Sequence, residues 1–84
     1  MIHQLKIDPC YFDAILYFHK RFEIRFNDRD FQLFDTLILS EFDSDKEIYS
    51  GRRIFCSVTY ILRSCKYLMP GYVALGFVIS EVNI

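Results

Sequence analysis

The residues best suited to bind or act on a ligand lie between positions 20 and 26, where charged and apolar side chains alternate. The charged members are Arg21, Glu23 and Arg25, and the apolar members between them are Phe22, Ile24 and Phe26. Successive side chains of a β-strand point to opposite faces, so a strand over this segment lays a row of charge along one surface. We expect the apolar set to face a core and the charged set to face a ligand.

Glu23 and Arg25 are two residues apart and therefore share a face of the predicted strand. The guanidinium of Arg25 offers a planar fork for a phosphate or a base edge, and the Glu23 carboxylate can accept from an exocyclic amino group such as that of cytosine. Lys20, at the turn before the strand, can contact an anion or, when partly desolvated, act as a general base. The pattern predicts a nucleobase-reading site, and the alternative is a structural ion pair on a half-exposed strand.

The elements before this strand are predicted to be a short strand and a helix. Residues 3–7 alternate as a strand does. Asp8 and Pro9 then suit the start of a helix, with the Asp8 carboxylate accepting a backbone N–H as the N-cap and Pro9 at the first helical position. The helix is expected to span about ten residues and to end near residues 18–19. Its buried stripe, at spacings of three and four, is Phe12, Ile15 and Leu16.

Three further strands are predicted after the charged strand. They span residues 36–42, 52–62 and 72–79. The connecting signals are a polar loop at 43–47 and turns at Ser50-Gly51 and Pro70-Gly71. Within the longest strand, the period of two places on one face Ile54, Cys56, Val58, Tyr60 and Leu62. Five strands and one early helix indicate an α+β fold, a small curled β-barrel with the helix packed at one opening.

Length and composition indicate a single domain over residues 1–84. The hydrophobic content is 52%, and the six Tyr and nine Phe can each bury on the order of 150–250 Å² in one core. The net charge of −1 argues against a protein that coats nucleic acid through bulk charge. Residues 30–47 hold six acidic residues and one basic residue, whereas residues 51–84 hold four basic residues and one acidic residue. This distribution allows a local basic surface, or ordinary segregation of solvated charge.

Cysteine and histidine usage indicates neither a disulfide nor a metal site. Cys10, Cys56 and Cys65 are odd in number, lack CxxC spacing and follow no signal peptide, so we expect reduced thiols in a cytoplasmic protein. Cys56 lies in an apolar run and is expected to be a small buried hydrophobe. His3 and His19 form no recognised metal spacing, and we expect no cofactor. No apolar stretch approaches the roughly 18 residues of a transmembrane helix, so no membrane partner is expected.

The segment that begins at position 18 reads Phe18-x-Lys20-x-x-Glu23-x-Arg25 and resembles the G-x-K-x-x-E-x-R signature of the ASCH (activating signal cointegrator homology) family. The fold of that family is a PUA-related β-barrel. The resemblance extends along most of the chain to a small bacterial subgroup of the superfamily. It runs through His3-x-Leu5-Lys6, Tyr11-Phe12, Phe22-Glu23-Ile24-Arg25, Asn27-Asp28-Arg29-Asp30-Phe31, Gly51-Arg52, Val58-Thr59-Tyr60-Ile61-Leu62 and Pro70-Gly71-Tyr72-Val73.

The resemblance implies a cleft between the helix and the barrel that binds RNA or a nucleotide-like ligand. Its residues would be Lys20, Glu23 and Arg25, with Asn27 and Arg29 at the mouth of the cleft. The leading functional hypothesis is therefore an RNA- or nucleotide-binding module rather than an enzyme. The fold by itself does not decide this, because fold and activity are only loosely tied.

Two other functions stay open. One enzymatic branch of the superfamily hydrolyses the amide of N4-acylated cytidines with a lysine and a threonine three residues later. Lys20 would be the base here, but the later position is Glu23, which has no hydroxyl. The other function is a protein-interaction domain whose exposed aromatic side chains form an oligomer surface.

Two phenylalanines stand where the family pattern has glycine. Phe18 replaces the signature glycine, and Phe34 stands where a glycine is expected before Asp35. Glycine is usual where φ is positive or where another group approaches the backbone, so these changes predict an altered turn or a narrowed cleft. We expect both rings near the rim, where they cap the cleft or offer a base a stacking surface, a contact worth about 1–3 kcal/mol. The alternative is that both rings pack into the core or into a dimer contact.

Overall fold

Five strands form one curled half-barrel sheet with one helix packed against it, in a computed structural model that describes residues 1–64 and 66–84. The elements are β1 (Ile2–Ile7), α1 (Pro9–Leu16), β2 (Phe22–Phe26), β3 (Thr36–Asp43), β4 (Ile48–Leu62) and β5 (Tyr72–Asn83). The order across the sheet is β1-β3-β4-β5-β2, with β1 parallel to β3 and the other neighbours antiparallel. The predicted α+β class with five strands and an early helix is confirmed. Cys65 lies outside the described residues.

The core lies between the inner face of the sheet and α1. Its buried side chains are Leu5, Ile7, Phe12, Ile15, Phe31, Leu37, Leu39, Ile54, Cys56, Val58, Val73, Leu75 and Phe77. The predicted helical stripe is confirmed, since Phe12 and Ile15 are fully buried and Leu16 packs against the core. Cys56 is a small buried hydrophobe as expected. Burial raises the pKa of its thiol to about 12, and the charge of Glu23 adds to this shift.

Among the described strands, β2 adds no apolar side chain to this core. Phe22, Ile24 and Phe26 are about half exposed, whereas Glu23 is buried. The expectation that the apolar set faces the core is therefore wrong. β2 is an edge strand beside β5, and its inner side meets the opening of the curled sheet, where charged groups can be paired and partly hydrated.

β1 and β2 are the two edges of the described sheet, and arginine side chains bridge the seam between them. Arg25 Nη2 donates to the backbone carbonyl of Lys6 at 2.7 Å, and Arg29 Nη1 donates to that of Gln4 at 2.5 Å. Both carbonyls belong to β1, whose partner in the sheet is β3. The two guanidinium groups thus satisfy acceptors that an edge strand otherwise leaves to solvent or to another chain.

α1 ends at Leu16, before the predicted end at residues 18–19, because Phe18 takes a left-handed conformation with a φ of 64°. The N–H of Phe18 donates to the carbonyl of Ile15 at 3.0 Å, and the N–H of His19 donates to the carbonyl of Ala14 at 2.8 Å. These two bonds are those of a Schellman C-cap, a motif that usually has glycine in the left-handed position. The cap turns the chain from α1 into β2.

The start of α1 follows the prediction in part. Pro9 is the first helical residue, and the backbone of Asp8 occupies the N-cap position. The Asp8 carboxylate makes no cap hydrogen bond and instead accepts from the Ser44 hydroxyl at 3.3 Å. The predicted side-chain cap is therefore wrong, because the loop after β3 brings a competing donor to this carboxylate.

β4 begins at Ile48, so the predicted turn at Ser50-Gly51 is wrong. The turn lies at residues 44–47, and residues 50–52 form a bulge in which three residues of β4 face one residue of β3, Glu41. The glycine of this bulge has a φ of 93°, a conformation that glycine adopts without a Cβ clash. The sequence signal was therefore real, but it marks a bulge within a strand.

A second bulge, at Thr59, interrupts β4 near its end. Beyond it, Ile61 packs against the core, while Tyr60 and Leu62 are exposed. The prediction that Tyr60 and Leu62 share the face of Ile54 is wrong, because one extra residue in a strand moves every later side chain to the opposite face.

Candidate functional site

A cleft of about 490 Å³ opens between the end of β1, the start of α1 and β2. Its volume falls within the range of small-molecule sites. The polar and aromatic side chains that line it include Lys6, Asp8, Tyr11, Glu23, Arg25, Phe42, Ser44 and Tyr72. Glu23 and Arg25, two of the residues predicted from the sequence, thus lie in the wall of a cleft beside the helix.

Glu23 is the centre of a row of charge that runs from Arg25 in this wall to Lys20, which lines a neighbouring depression rather than the cleft. One carboxylate oxygen, Oε1, pairs with the ammonium of Lys20, and the other, Oε2, accepts from Arg25 Nε at 3.2 Å. Lys20 also donates to the carbonyl of Phe22 at 2.7 Å and lies 5.4 Å from the ring centroid of Tyr11. Each oxygen of Glu23 therefore holds one cation, and the three predicted residues form a single connected network.

The guanidinium of Arg25 is held from two sides. Nε donates to Glu23, and Nη2 donates to the Lys6 carbonyl across the seam. Within the described residues, Nη1 has no hydrogen-bond partner. Since a guanidinium has five N–H donors in one plane, Arg25 is positioned by the protein and still has donors for a ligand.

Lys6 is a cleft residue that the sequence analysis did not single out. Its ammonium lies 4.5 Å from the ring centroid of Phe42, and no carboxylate of the described chain lies within ion-pair distance of it. The available signal was its place on β1 between Leu5 and Ile7, which are both buried, so that the alternation turns Lys6 away from the core. Lys6 and Arg25 give the cleft two cations.

Asn27 and Arg29, which were expected at the mouth of the cleft, have structural hydrogen bonds. Asn27 Oδ1 accepts from the Phe31 N–H at 3.0 Å, and Arg29 bridges the seam to Gln4. Neither is among the residues that line the cleft. Their roles in ligand binding stay predictions, and their observed contacts shape the segment that follows β2.

Phe18 and Phe34 keep the backbone conformation expected of the glycines they replace, with φ values of 64° and 68°. They are 58% and 76% exposed, so neither packs into the core. Phe18 lines a separate depression together with Lys20 and Phe77, and the Phe34 N–H donates to the Val58 carbonyl at 2.8 Å. Neither ring lines the cleft, and a stacking role for them stays a prediction.

The family described as "Domain of unknown function (DUF3850)" matches residues 2–77, which include the whole cleft. The chain belongs to this family. It is 33% identical over 81 residues to an "Uncharacterized 12.9 kDa protein in GpA 3'region" of Escherichia phage P2, a match that covers 96% of this chain and 72% of the phage protein.

A second buried carboxylate of this DUF3850 domain, Glu41, helps to hold α1 against the sheet. Arg52 Nε and Nη2 donate to its two oxygens at 2.9 and 2.8 Å, and Nη2 also donates to Asp13 on α1 at 2.9 Å. The guanidinium lies 4.7 Å from the ring centroid of Phe12. Hydrogen bonds from Arg52 hold the pKa of Glu41 below its ordinary value, and those to Glu41 and Asp13 raise the pKa of Arg52. The bulge at 50–52, which the alternation did not reveal, brings this pair together.

His3 and Asp35 form a third buried polar group of the DUF3850 domain. His3 Nε2 and Asp35 Oδ2 are 2.7 Å apart, and the His3 ring meets the Phe31 ring edge-on, with centroids 4.7 Å apart. Burial raises the pKa of Asp35, but hydrogen bonds from His3, the Met1 ammonium and the Gln32 N–H outweigh it and lower the pKa to about 2. This histidine is therefore a structural residue and does not line the cleft.

The cleft of the DUF3850 domain offers donors, charge and aromatic rings to a ligand. Among residues 1–64 and 66–84, no group of three His, Cys, Asp or Glu side chains could hold a metal ion. In the same part of the chain, no helix has the length and apolar character needed to cross a membrane. The groups that line the cleft can take part in hydrogen bonds, ion pairs and stacking with a ligand.

Proposed function

We propose that this chain binds RNA or a nucleotide-like molecule in the cleft, using Lys20, Glu23 and Arg25 together with Lys6. The observation that carries the proposal is the Arg25 guanidinium, which two contacts fix in the cleft wall and which retains donors for a ligand. A planar fork of this kind pairs with a phosphate, or with the edge of a base, through two parallel hydrogen bonds. Because the fork is positioned before a ligand arrives, less side-chain entropy is lost on binding.

In this proposal Glu23 and Lys20 position Arg25. Both oxygens of Glu23 already accept from a cation, so its main contribution is to orient the guanidinium. Lys20 supplies the second positive charge that pairs with the mostly buried Glu23 carboxylate. The same network gives the cleft a defined shape.

The other walls of the cleft suit a ligand that is both planar and anionic. Tyr11, Phe42 and Tyr72 present aromatic rings there, and stacking of a base on such a ring contributes about 1–3 kcal/mol. Lys6 adds a second point charge that can contact a phosphate. The combination of stacking surface and paired cations is what a nucleotide requires.

We also propose that the fold is of the ASCH type, within the PUA-related barrels. Support comes from the curled five-stranded sheet with an early helix beside its opening. Further support comes from the residues that match the signature, because Lys20, Glu23 and Arg25 lie together in one network at that opening.

Hydrolysis of N4-acylated cytidines has less support as an alternative. The ammonium of Lys20, the proposed base, donates to the Phe22 carbonyl and pairs with Glu23. A general base must reach the substrate, and these contacts hold the Lys20 amine against β2 and outside the lining of the cleft. The position of the threonine in that enzymatic branch is held by Glu23, which serves here as an ion-pair partner.

Fluorescence anisotropy with a labelled single-stranded RNA, and competition by nucleoside monophosphates, test the proposal. We expect Arg25→Ala and Lys6→Ala each to weaken binding by about tenfold or more, which corresponds to about 1.4 kcal/mol. Arg53→Ala removes an arginine of β4 that does not line the cleft, and this control should bind as the wild type does. Affinity should fall as salt rises, with a shallower slope for Lys6→Ala, because phosphate contacts release counterions.

Equal affinities for Arg25→Ala and the wild type contradict the assignment of the site. Absence of binding by any nucleoside monophosphate or RNA at about 1 mM contradicts the function itself. Turnover of N4-acetylcytidine by the wild type, and its loss in Lys20→Ala, would support the hydrolase instead.

A further inference from the structure

The outward side of β2, β5 and β4 carries a continuous uncharged surface, here named the outer apolar face. Its residues are Phe22, Ile24, Phe26, Tyr60, Leu62, Ala74, Gly76 and Val78. The strand register places Ile24, Ala74 and Leu62 side by side across the three strands. We propose that a second copy of this chain docks on the outer apolar face and forms a two-fold symmetric dimer. The side chains of this face alternate with those of Glu23 and Arg25 along β2, and the face borders the cleft at Ile24 and Phe26, which also line it. The proposal does not rest on the proposed function.

The charge pattern of the outer apolar face fits a second copy as the occupant. One residue in four of the chain is charged, at 25%, yet every residue of this face is neutral. A charge reaches the face at its margin, where the Lys20 ammonium lies 5.0 Å from the ring centroid of Phe22. In a two-fold dimer the same patch meets itself, so a charge near the axis would lie close to an identical charge. Like charges brought together in an interface repel each other and oppose association. A neutral face on a charged protein avoids this repulsion.

The shape of the face is also self-complementary. Its centre on β5 has the small residues Ala74 and Gly76, and larger side chains flank them on β2 and β4. Since neighbouring strands lie about 4.8 Å apart, the flanking ridges are roughly 10 Å apart with a shallow groove between them. In a two-fold arrangement the β2 ridge of each copy can enter the groove of the other, as an isologous interface requires.

The area of the face is sufficient for a dimer. Its six large side chains are between 38% and 64% exposed. An aromatic side chain has roughly 150–250 Å² of surface, so these exposed fractions amount to on the order of 600 Å² per copy. Two copies would bury on the order of 1,200 Å², at the lower end of specific interfaces. An apolar patch near 600 Å² is at the upper end of what a monomer leaves uncovered.

The free edge of β2 does not offer a competing route to self-association. Arg25 and Arg29 occupy the seam by donating to carbonyls of β1, so an incoming strand would have to displace both arginines. Packing through the outer apolar face leaves these hydrogen bonds intact. Because side chains alternate along β2, it also leaves Glu23 and Arg25 on the inner side, open to the cleft.

Sedimentation velocity from about 1 to about 100 µM tests the dimer, with circular dichroism as the check on folding. At the upper concentrations, we expect the apparent mass of the wild-type protein from sedimentation to be twice that of the monomer. Ile24→Lys places a charge in the middle of the face and should raise the dimer dissociation constant by about tenfold or more. The matched control is Ile48→Lys, the same substitution at the first residue of β4, outside the outer apolar face. Ile48 is 58% exposed, compared with 51% for Ile24. The Ile48→Lys variant should dimerise as the wild type does.

If Ile24→Lys does not fold, Tyr60→Lys repeats the test at a position that is 64% exposed. Wild-type protein that stays monomeric at about 100 µM overturns the proposal, since another partner or another segment would then have to cover the face. Dissociation by Ile48→Lys with no effect of Ile24→Lys overturns it as well, because the interface would lie elsewhere.

Discussion

Two inward-facing glutamates, Glu23 on β2 and Glu41 on β3, are both 7% exposed but are held in different ways. Glu41 accepts from one guanidinium, that of Arg52, through both of its oxygens at 2.9 and 2.8 Å. Glu23 divides its oxygens between Lys20 and Arg25. Burial is the same in the two places, so the two carboxylates differ in their partners and not in their exposure.

The two sites differ in how many N–H donors of the arginine remain available to a ligand. Arg52 gives a further donor to Asp13 and lies over the Phe12 ring, so its bonds join the helix to the sheet. Arg25 lies at the open seam and lines the cleft, with donors that the described residues leave unused. The contacts of Glu41 serve the fold, whereas under the proposed function those of Glu23 position a ligand-binding group. Stability and binding should therefore respond to different arginines.

The largest effect on stability should come from Arg52→Ala. This change leaves Glu41 buried without its cation, which costs about 3 kcal/mol of folding free energy. Arg25→Ala acts at an opening that water reaches and should cost less than about 1 kcal/mol. Urea unfolding of both variants measures the contrast. Arg52→Lys keeps the charge but loses the fork, and should fall between the wild type and Arg52→Ala. Equal losses of unfolding free energy in Arg52→Ala and Arg25→Ala would contradict the difference proposed between the two sites.

A third buried carboxylate, Asp35, is a structural residue like Glu41, and its low pKa makes the stability of the fold depend on pH. Its pKa is about 2 in the folded protein, against an ordinary value of 3.8. The folded state binds this proton less readily than the unfolded chain, so the stabilisation is complete above 3.8 and is lost as the pH falls toward 2. At 1.36 kcal/mol per pKa unit it amounts to about 2 kcal/mol. Glu41, whose pKa is also lowered, acts with the same sign.

Urea unfolding between about pH 5 and about pH 2 measures this loss. Asp35→Asn should be less stable than the wild type at neutral pH and should show a weaker dependence on acid, because the titrating group is gone. The same acid dependence in Asp35→Asn and the wild type would assign the effect to other carboxylates. The cleft variant Arg25→Ala should keep the acid dependence of the wild type.

The sequence predicted those features of the two sites that depend on local pattern. The alternation along β2 correctly grouped Glu23 and Arg25, because the period of two is a property of any strand. The orientation of the apolar side chains between them was predicted wrongly, since the inner side of an edge strand depends on where β1 and β5 lie. The apolar set Phe22, Ile24 and Phe26 therefore faces outward. This reversal produces both the charged cleft and the outer apolar face.

Features that depend on strand pairing were harder to predict. Ser50-Gly51 has the composition of a turn, but the pairing of β3 with β4 makes it a bulge. The contact of Arg52 with Glu41 follows from that bulge, and so it was missed. Lys6 belongs to the cleft only because the sheet curls until β1 approaches β2. In each case the feature depends on a neighbouring strand that is distant in sequence, and local propensity does not predict that pairing.

The smallest expected effect on stability comes from the backbone conformation of Phe34. Phe34 has a φ of 68° and is 76% exposed, so it bears the cost of a left-handed conformation with little packing in return. Phe34→Gly should raise the free energy of unfolding by about 1 kcal/mol, because that conformation costs a residue with a Cβ about this much.

Phe34→Ala is the matched control, since it removes the ring but keeps the Cβ. The difference between the two variants in urea unfolding isolates the backbone contribution. Phe18→Gly should show a similar gain at the helix C-cap, where glycine is the usual residue. Because Phe18 lies beside Lys20 and Phe34 does not, a change in ligand affinity is expected only for Phe18→Gly. A Phe34→Gly protein less stable than Phe34→Ala would mean that the left-handed φ is not a source of strain at this turn.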